Sequence, residues 1–190
     1  TGTEIGGGFK NIQTLIGGSG NDSLTGQNAA VTWILDGTDT YTSSGQTLNF
    51  NGFETLNGGS GDDTFQIADG FTFNGSLSGG GGQNTLDYSA YTSSRNFVLT
   101  GYGSQVGFNG QEVSLSGGFQ NITHLIGSSV TDTLYSLDVA GTWTITSGWS
   151  TYTVNPTLNF MDVENLNGSS FDDTFILADG VNLNGSIDGK

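Results

Sequence analysis

The sequence predicts an all-β fold, a right-handed parallel β-helix (β-solenoid) of about nine coils of 20–25 residues. Three observations predict it: a long internal repeat, a shorter beat of glycine-rich segments within it, and short runs of alternating apolar and polar residues. Coils that stack at about 4.8 Å place equivalent leucine and phenylalanine side chains in columns inside one dry interior. The right hand follows from the rule for crossovers between parallel strands.

The long repeat appears when the chain is compared with itself at an offset of 110 residues. The segment GFKNIQTLIGGSGNDSL at 8–24 aligns with GFQNITHLIGSSVTDTL at 118–134, and many other positions match at the same offset. We therefore predict that 1–110 form one unit, that 111–190 form a second, truncated copy, and that the two continue as one solenoid. Two tandem β-domains and an ordinary β-sandwich are the alternatives.

The shorter beat consists of glycine-rich steps that begin at Gly17, Gly58 and Gly79. Their spacing predicts a coil of about 21 residues. It also predicts one coil without that signature near 36–37, and two looser coils that meet near 101–103.

The strands are predicted from runs such as 64–67 and 142–145, in which Phe, Ile, Thr and Trp alternate between the two faces. Alternation with period two, bounded by Gly, Asn, Asp and Ser, is typical of β-strands. Charged residues are only 11% of the chain, too few to cover the outer faces of long amphipathic helices. Helical bundles are therefore excluded.

The charge balance excludes two classes of partner. Three Lys and Arg residues stand against 18 Asp and Glu, which gives a formal net charge of -15. Such a chain repels phosphate, and Lys10, Arg95 and Lys190 are too scattered to form a basic stripe. We expect no nucleic-acid binding, and no membrane insertion because no apolar run reaches the length of a membrane span. The chain has no cysteine, so it has no disulfide framework.

Two segments match the pattern G-G-x-G-x-D-x-U-x in full: GGSGNDSLT at 17–25 and GGSGDDTFQ at 58–66. This pattern is the calcium-binding nonapeptide of RTX proteins. The whole chain resembles the repeat regions of very large bacterial RTX-like or adhesin-type surface and secreted proteins. The resemblance implies an extracellular or bacterial cell-surface location and an adhesive or matrix-forming role. It also implies Asp22 and Asp63 as calcium ligands.

The chain also departs from that pattern. A calcium β-roll stacks nonapeptides in tandem, because calcium needs six or more oxygen ligands, whereas each full match here stands alone. A third copy has Asn84 in place of the carboxylate, and two others have Val130 and Phe171 in place of the third glycine. The other interpretation is a tight corner in which the aspartate caps backbone N–H groups. We therefore expect that no cofactor is required, with calcium at Asp22 and Asp63 as the alternative.

Aromatic and asparagine residues recur in phase. Trp33 and Trp143 share one position of the repeat and are predicted to lie in the core, whereas Trp149 has no counterpart. Trp149 is therefore a candidate for a sugar-stacking surface, together with four tyrosines on polar runs, Tyr41, Tyr91, Tyr102 and Tyr152. Paired asparagines such as Asn11 and Asn121 tolerate the left-handed conformation and can form hydrogen-bonded stacks between coils.

We predict that the chain is not an enzyme. Some parallel β-helices are polysaccharide lyases that need a basic residue as proton abstractor, and only Lys10, Arg95 and Lys190 are available. The acid pairs at 62–63 and 172–173 cannot flank one glycosidic bond, because neighbours on a strand point to opposite faces.

The predicted function is a non-catalytic structural spacer of a giant extracellular adhesin-like or matrix-forming protein. The alternative is a carbohydrate- or cell-binding module with cell-surface glycans as partners, and a lyase-like enzyme is a remote third. The spacer's partners are neighbouring repeats of the same chain, or copies that associate end to end. The start TGTEIGGGFK has neither Met nor an apolar leader, so we expect an internal piece of a longer protein. A binder should show one aromatic or threonine patch that other coils lack, whereas a spacer should show uniform polar faces.

Overall fold

The computed structural model describes residues 11–190, and every regular element in that part of the chain is a β-strand. The prediction of an all-β fold is confirmed. Residues 11–190 contain no helix, and therefore no helix that is long and apolar enough to cross a membrane. The strands coincide with runs of Thr, Ile, Phe and Trp, whose branched or aromatic side chains pack well on a pleated surface.

The strands form two sheets. Sheet A has eleven strands: β1 (Thr14–Ile16), β3 (Thr32–Leu35), β4 (Thr40–Ser43), β5 (Gln46–Asn51), β7 (Thr64–Ile67), β9 (Thr85–Asp87), β13 (His124–Ile126), β15 (Thr142–Ile145), β16 (Ser150–Thr153), β17 (Thr157–Met161) and β19 (Thr174–Leu177). Sheet B has nine: β2 (Ser23–Thr25), β6 (Thr55–Gly59), β8 (Ser76–Gly80), β10 (Asn96–Tyr102), β11 (Phe108–Glu112), β12 (Leu115–Ile122), β14 (Thr133–Tyr135), β18 (Asn165–Asn167) and β20 (Ile187–Asp188).

The chain passes back and forth between the two sheets, and strands from successive passes pair in parallel. Leu56 of β6 lies opposite Leu77 of β8, and Phe65 of β7 lies opposite Leu86 of β9. Equivalent apolar residues therefore stack in columns, as predicted. Parallel strands in two sheets are the arrangement of a β-solenoid-like fold.

The prediction of a wholly parallel stack is wrong at three places. The strands β3–β4–β5 and β15–β16–β17 in sheet A, and β10–β11–β12 in sheet B, are three-stranded antiparallel meanders. The segment at 36–37 is the turn between β3 and β4, and 101–103 lies where β10 turns toward β11. Ser44 and Gly45 join β4 to β5 with φ of 49° and 75°, as a two-residue hairpin requires.

The meanders are balanced between the sheets. From β1 to β13 sheet A advances by six strand positions, and from β2 to β14 sheet B also advances by six. One repeat therefore contains one meander in each sheet. Because strands in a sheet lie about 4.8 Å apart, equal numbers of strands keep the two sheets equally long, at about 29 Å per repeat.

The core lies between the two sheets. Trp33 and Trp143 are 0% exposed, which confirms their predicted place in the core. Each indole stacks on a phenylalanine of the neighbouring parallel strand, Trp33 on Phe65 at 5.8 Å between ring centroids. Phe108 of sheet B contacts Tyr152 of sheet A, with centroids 5.8 Å apart. One apolar interior thus connects both sheets.

The in-phase asparagines use their side chains between coils. Asn49 donates from Nδ2 to the carbonyl oxygen of Gln13 at 3.1 Å, and Asn159 donates to that of Thr123 at 3.5 Å. Asn11 and Asn121 have φ of 59° and 56°, in the left-handed region. The asparagine prediction is therefore confirmed at these positions.

Candidate functional site

The two full nonapeptides lie at different corners of the fold. The segment at 17–22 connects β1 of sheet A to β2 of sheet B, whereas the segment at 58–63 connects β6 of sheet B back to β7 of sheet A. All strands of a parallel sheet begin at one side of the sheet and end at the other. Crossings from sheet A to sheet B therefore lie on one side of the stack, and crossings from sheet B to sheet A lie on the opposite side. The structure therefore does not bring Asp22 and Asp63 together.

Asp22 caps its own corner. Its carboxylate accepts a hydrogen bond from the backbone N–H of Gly18. Its backbone N–H donates to Oε2 of Glu54 on the next coil at 2.8 Å. Both contacts lie in corner segments that have no regular strand pairing. They give hydrogen-bond acceptors to backbone N–H groups that the β-sheets do not pair.

The equivalent corner of the second repeat is built in the same way. Asp132 is fully buried and accepts from the backbone N–H of Ser128, and its own N–H donates to Oε2 of Glu164 at 2.9 Å. The hydroxyl of Ser128 donates to Oδ1 of Asp132 at 2.9 Å. A serine hydroxyl thus adds a second donor where the first repeat has Gly18.

Asp63 differs from Asp132 in that only one of its carboxylate oxygens has a hydrogen-bond partner. It is fully buried, and its Oδ1 accepts from the backbone N–H of Val31 at 3.1 Å. Its Oδ2 has no hydrogen-bond partner. Burial raises the pKa of Asp63 to about 7, and the neighbouring charge of Asp62 adds to the shift, while the Val31 N–H opposes it. Asp62 itself is exposed, as the prediction of opposite faces for adjacent acids requires.

Asn84 shows why an amide replaces the carboxylate in the third copy. Its Oδ1 accepts from the backbone N–H of Asp63 at 3.1 Å. Its Nδ2 donates to the carbonyl oxygens of Gly81 and Asn121, both at 3.0 Å. A carboxylate could not make these two donations. Its backbone N–H donates to Oγ1 of Thr123 at 2.8 Å, so the hydrogen bonds continue to the next coil.

The glycine that begins the second nonapeptide is required by close packing. A Cβ added at Gly58 would lie 2.1 Å from Oδ2 of Asp63 and 2.5 Å from the carbonyl oxygen of Gly79. No side chain fits there without displacing the corner. The signature glycine therefore has a packing role that does not depend on calcium.

The carboxylate oxygens at these corners are poorly placed to bind calcium. Calcium takes six to eight oxygen ligands, whereas Asp22 and Asp63 face the N–H groups of Gly18 and Val31. Within residues 11–190, no three or more His, Asp or Glu side chains come close enough together to hold a metal ion. Calcium at Asp22 and Asp63 stays a prediction.

The basic residues that could act as proton abstractors are placed as follows. Nη1 of Arg95 lies 3.5 Å from Oε1 of the buried Glu112. Oε2 of Glu112 accepts from the hydroxyl of Tyr88 at 2.8 Å and from the N–H of Ser114 at 2.7 Å. Burial raises the pKa of Tyr88 well above its usual value, and the charge of Glu112 adds to this.

The other two basic residues are lysines. Lys10 lies outside the described residues, and Nζ of Lys190 lies 5.9 Å from the ring centre of Tyr135.

The predicted aromatic surface is smaller than expected. Tyr152 is buried and Tyr41 is half-buried against Trp33, because β16 and β4 turn these side chains toward the interior. Tyr91, in the connection between β9 and β10, is also buried, and its hydroxyl donates to the carbonyl oxygen of Phe71 at 2.6 Å. Trp149 is 41% exposed and Tyr102 is 49% exposed. Trp149 lies beside His124, with 5.2 Å between the two ring centroids.

No family model matches this chain, and neither a curated protein nor a solved structure matches it. The resemblance to RTX-like and adhesin-type repeat regions therefore rests on the two nonapeptides and the sequence texture around them. The corners that carry those nonapeptides are hydrogen-bonded caps in which side-chain oxygens satisfy backbone N–H groups of the same or a neighbouring coil.

Proposed function

We propose that this chain is a non-catalytic structural spacer of a giant extracellular, adhesin-like or matrix-forming repeat protein. The observation that carries the proposal is the column of hydrogen bonds at the corner of Asp63. There Val31, Asp63 and Asn84 each donate a backbone N–H to a side-chain oxygen one coil further along. Polar groups that a binding or catalytic site would present to a ligand are here used to join coils.

The charge supports the same function. A net charge of -15 keeps an extended extracellular chain soluble and opposes lateral association. We propose that the solenoid is right-handed and that coils of 20–25 residues, about nine in this chain, continue with the repeat.

The proposed partners are neighbouring repeats of the same chain, or copies that associate end to end. Edge strands such as β19 in sheet A and β20 in sheet B have unpaired N–H and C=O groups, which are able to pair with a further strand.

A repeat-insertion experiment tests the spacer function. One variant carries a second copy of 1–110 inserted between residues 110 and 111, and small-angle scattering compares it with the original chain. Six strand positions at about 4.8 Å predict an increase of about 29 Å in the long dimension, with an unchanged cross-section. A strand-type circular dichroism spectrum should accompany it. An insertion that thickens the particle, or that adds a separately tumbling domain, would contradict one continuous solenoid.

Sedimentation tests the end-to-end association. Charge repulsion between copies is screened as salt increases, so the weight-average mass should rise between low and high salt. A chain that stays monomeric at every salt concentration would favour a self-contained binding module instead.

A further inference from the structure

Trp149 is held at the surface of the molecule. It lies on the turn between β15 and β16 and is 41% exposed, whereas Trp33 and Trp143 are 0% exposed. Its ring contacts the His124 ring edge-on, with 5.2 Å between centroids and 88° between planes. A large aromatic ring that is fixed by one neighbour and still exposed offers a rigid apolar surface at little cost in conformational entropy.

The ring stands beside a row of uncharged polar side chains on the outer face of sheet A. Thr85, His124, Asn159 and Thr151 lie opposite one another in that order on β9, β13, β17 and β16. Neighbouring members of the row are therefore about 4.8 Å apart. On the same face, Ile126 lies opposite Met161 in the next row. The surface thus combines hydroxyl and amide groups with apolar ones.

This combination occurs only once in the described residues. At the positions of His124, Ile126 and Met161 the first repeat has Thr14, Ile16 and Asn51, and the turn at 36–39 contains no aromatic residue. The repeat folds with either set. The aromatic patch is therefore not required by the coil, so it can bind a ligand in addition to the structural role of the coils.

We propose that Trp149, His124 and the adjoining row on sheet A bind a neutral polysaccharide. The indole packs against the C–H face of one sugar ring, while Asn159 and Thr151 pair with its hydroxyl groups. The charge selects the class of sugar. A chain of net charge -15 repels uronates and sulfated sugars.

His124 adds no positive charge that would attract an acidic sugar. Burial lowers its pKa below the usual value, against an opposing effect of Asp62. Its Nδ1 lies 3.0 Å from Oγ1 of Thr123, which orients the ring. The row therefore presents no positive charge, and the acidic side chain of Asp87 lies opposite Ile126 in the next row.

Depletion assays with insoluble polysaccharides test the proposal on the full chain. Cellulose, chitin and mannan are the neutral probes, and calcium-free alginate and polygalacturonate gels are the anionic ones. We expect retention on at least one neutral polysaccharide, at least tenfold weaker retention for Trp149→Ala, and unchanged retention for Tyr102→Ala. Tyr102 is grouped with Trp149 by sequence, but it lies on sheet B and outside the proposed row on sheet A, so this exposed aromatic residue is the matched control.

Fluorescence provides a second measurement. Because the other two tryptophans are buried, a soluble oligosaccharide of the retained type should shift the emission of the wild-type chain and not that of Trp149→Phe. Three results would overturn the proposal: no retention on any neutral probe, equal retention of wild type and Trp149→Ala, or preference for the anionic gels. Wild type and Trp149→Ala should have the same dimensions in small-angle scattering. Loss of the polysaccharide proposal would therefore leave the spacer function to be tested separately by the repeat insertion.

Discussion

The backbone N–H of Asp63 donates to Oδ1 of Asn84 at 3.1 Å, which joins two corners that are 21 residues apart in the chain. Oδ1 of Asp63 in turn accepts from the N–H of Val31 at 3.1 Å, while Oδ2 has no partner. Asp63 is thus both a link in the column and a buried carboxyl group that is only half satisfied. Burying a carboxylate in this way costs free energy unless it is protonated or fully hydrogen-bonded.

We expect Asp63→Asn to change how stability depends on pH. The pKa of Asp63 is about 7 in the folded chain against an ordinary value of 3.8, so the folded state binds its proton more tightly than the unfolded state. Its contribution to stability is complete below about pH 4 and is lost as the pH rises to about 7. An amide cannot ionise, so Asp63→Asn should be stabilised relative to wild type as the pH rises through this range.

Urea unfolding at pH 4, 5.5 and 7.5 measures this difference. The control is Asp173→Asn at the equivalent corner, because both oxygens of Asp173 accept hydrogen bonds, from Gly141 and Ser169. That variant should be destabilised at neutral pH. If the stability of wild type and of Asp63→Asn changed with pH in the same way, the pKa of Asp63 would not be raised in the folded chain.

Gly58→Ala should destabilise the fold without any change in metal. The added methyl group meets Oδ2 of Asp63 and the backbone of Gly79, and such overpacking costs about 1–3 kcal/mol. Gly101→Ala is the control, because no atom lies within 4 Å of the added Cβ. Chemical denaturation in the presence of a chelator measures both variants. Equal midpoints would mean that the corner relaxes around the methyl group.

Arg95→Met should destabilise the chain by about 3 kcal/mol, because it leaves the buried carboxylate of Glu112 without its cation. The double variant Arg95→Met/Glu112→Gln should recover part of that loss. Lys190→Met, at an exposed position, should stay within about 0.5 kcal/mol of wild type. Thermal and urea unfolding measure all three. A double variant that is no more stable than Arg95→Met would be evidence against coupling between Arg95 and Glu112.

Chelation should leave the strand signal intact. The carboxylates of Asp22 and Asp132 already accept hydrogen bonds from backbone N–H groups. Columns of buried Leu, Phe and Trp side chains also stabilise the stack. Circular dichroism with and without a calcium chelator should therefore show the same spectrum and only a modest decrease in Tm. Complete unfolding on chelation would mean that Asp22 and Asp63 bind structural calcium.

The sequence by itself was sufficient to predict an all-β chain, apolar columns, and buried positions for Trp33 and Trp143. These features depend on period-two alternation and on a repeat, both of which are local properties of the chain. The glycine-rich corners were also predictable in position, although the amide of Asn84 was recognised only as a departure from a pattern.

Only the tertiary structure decided which strands are antiparallel, which side of the stack each nonapeptide occupies, and which buried aspartate has a carboxylate oxygen without a hydrogen-bond partner. Parallel and antiparallel strands share the same alternation, so the meander from β3 to β5 has the sequence pattern of a coil. Asp22 and Asp63 occupy the same place in one motif, yet one corner runs from sheet A to sheet B and the other from sheet B to sheet A. The hydrogen bonds that join these corners to other coils connect residues 21 to 32 positions apart, and pairing over that distance is determined by packing, which local sequence patterns do not encode.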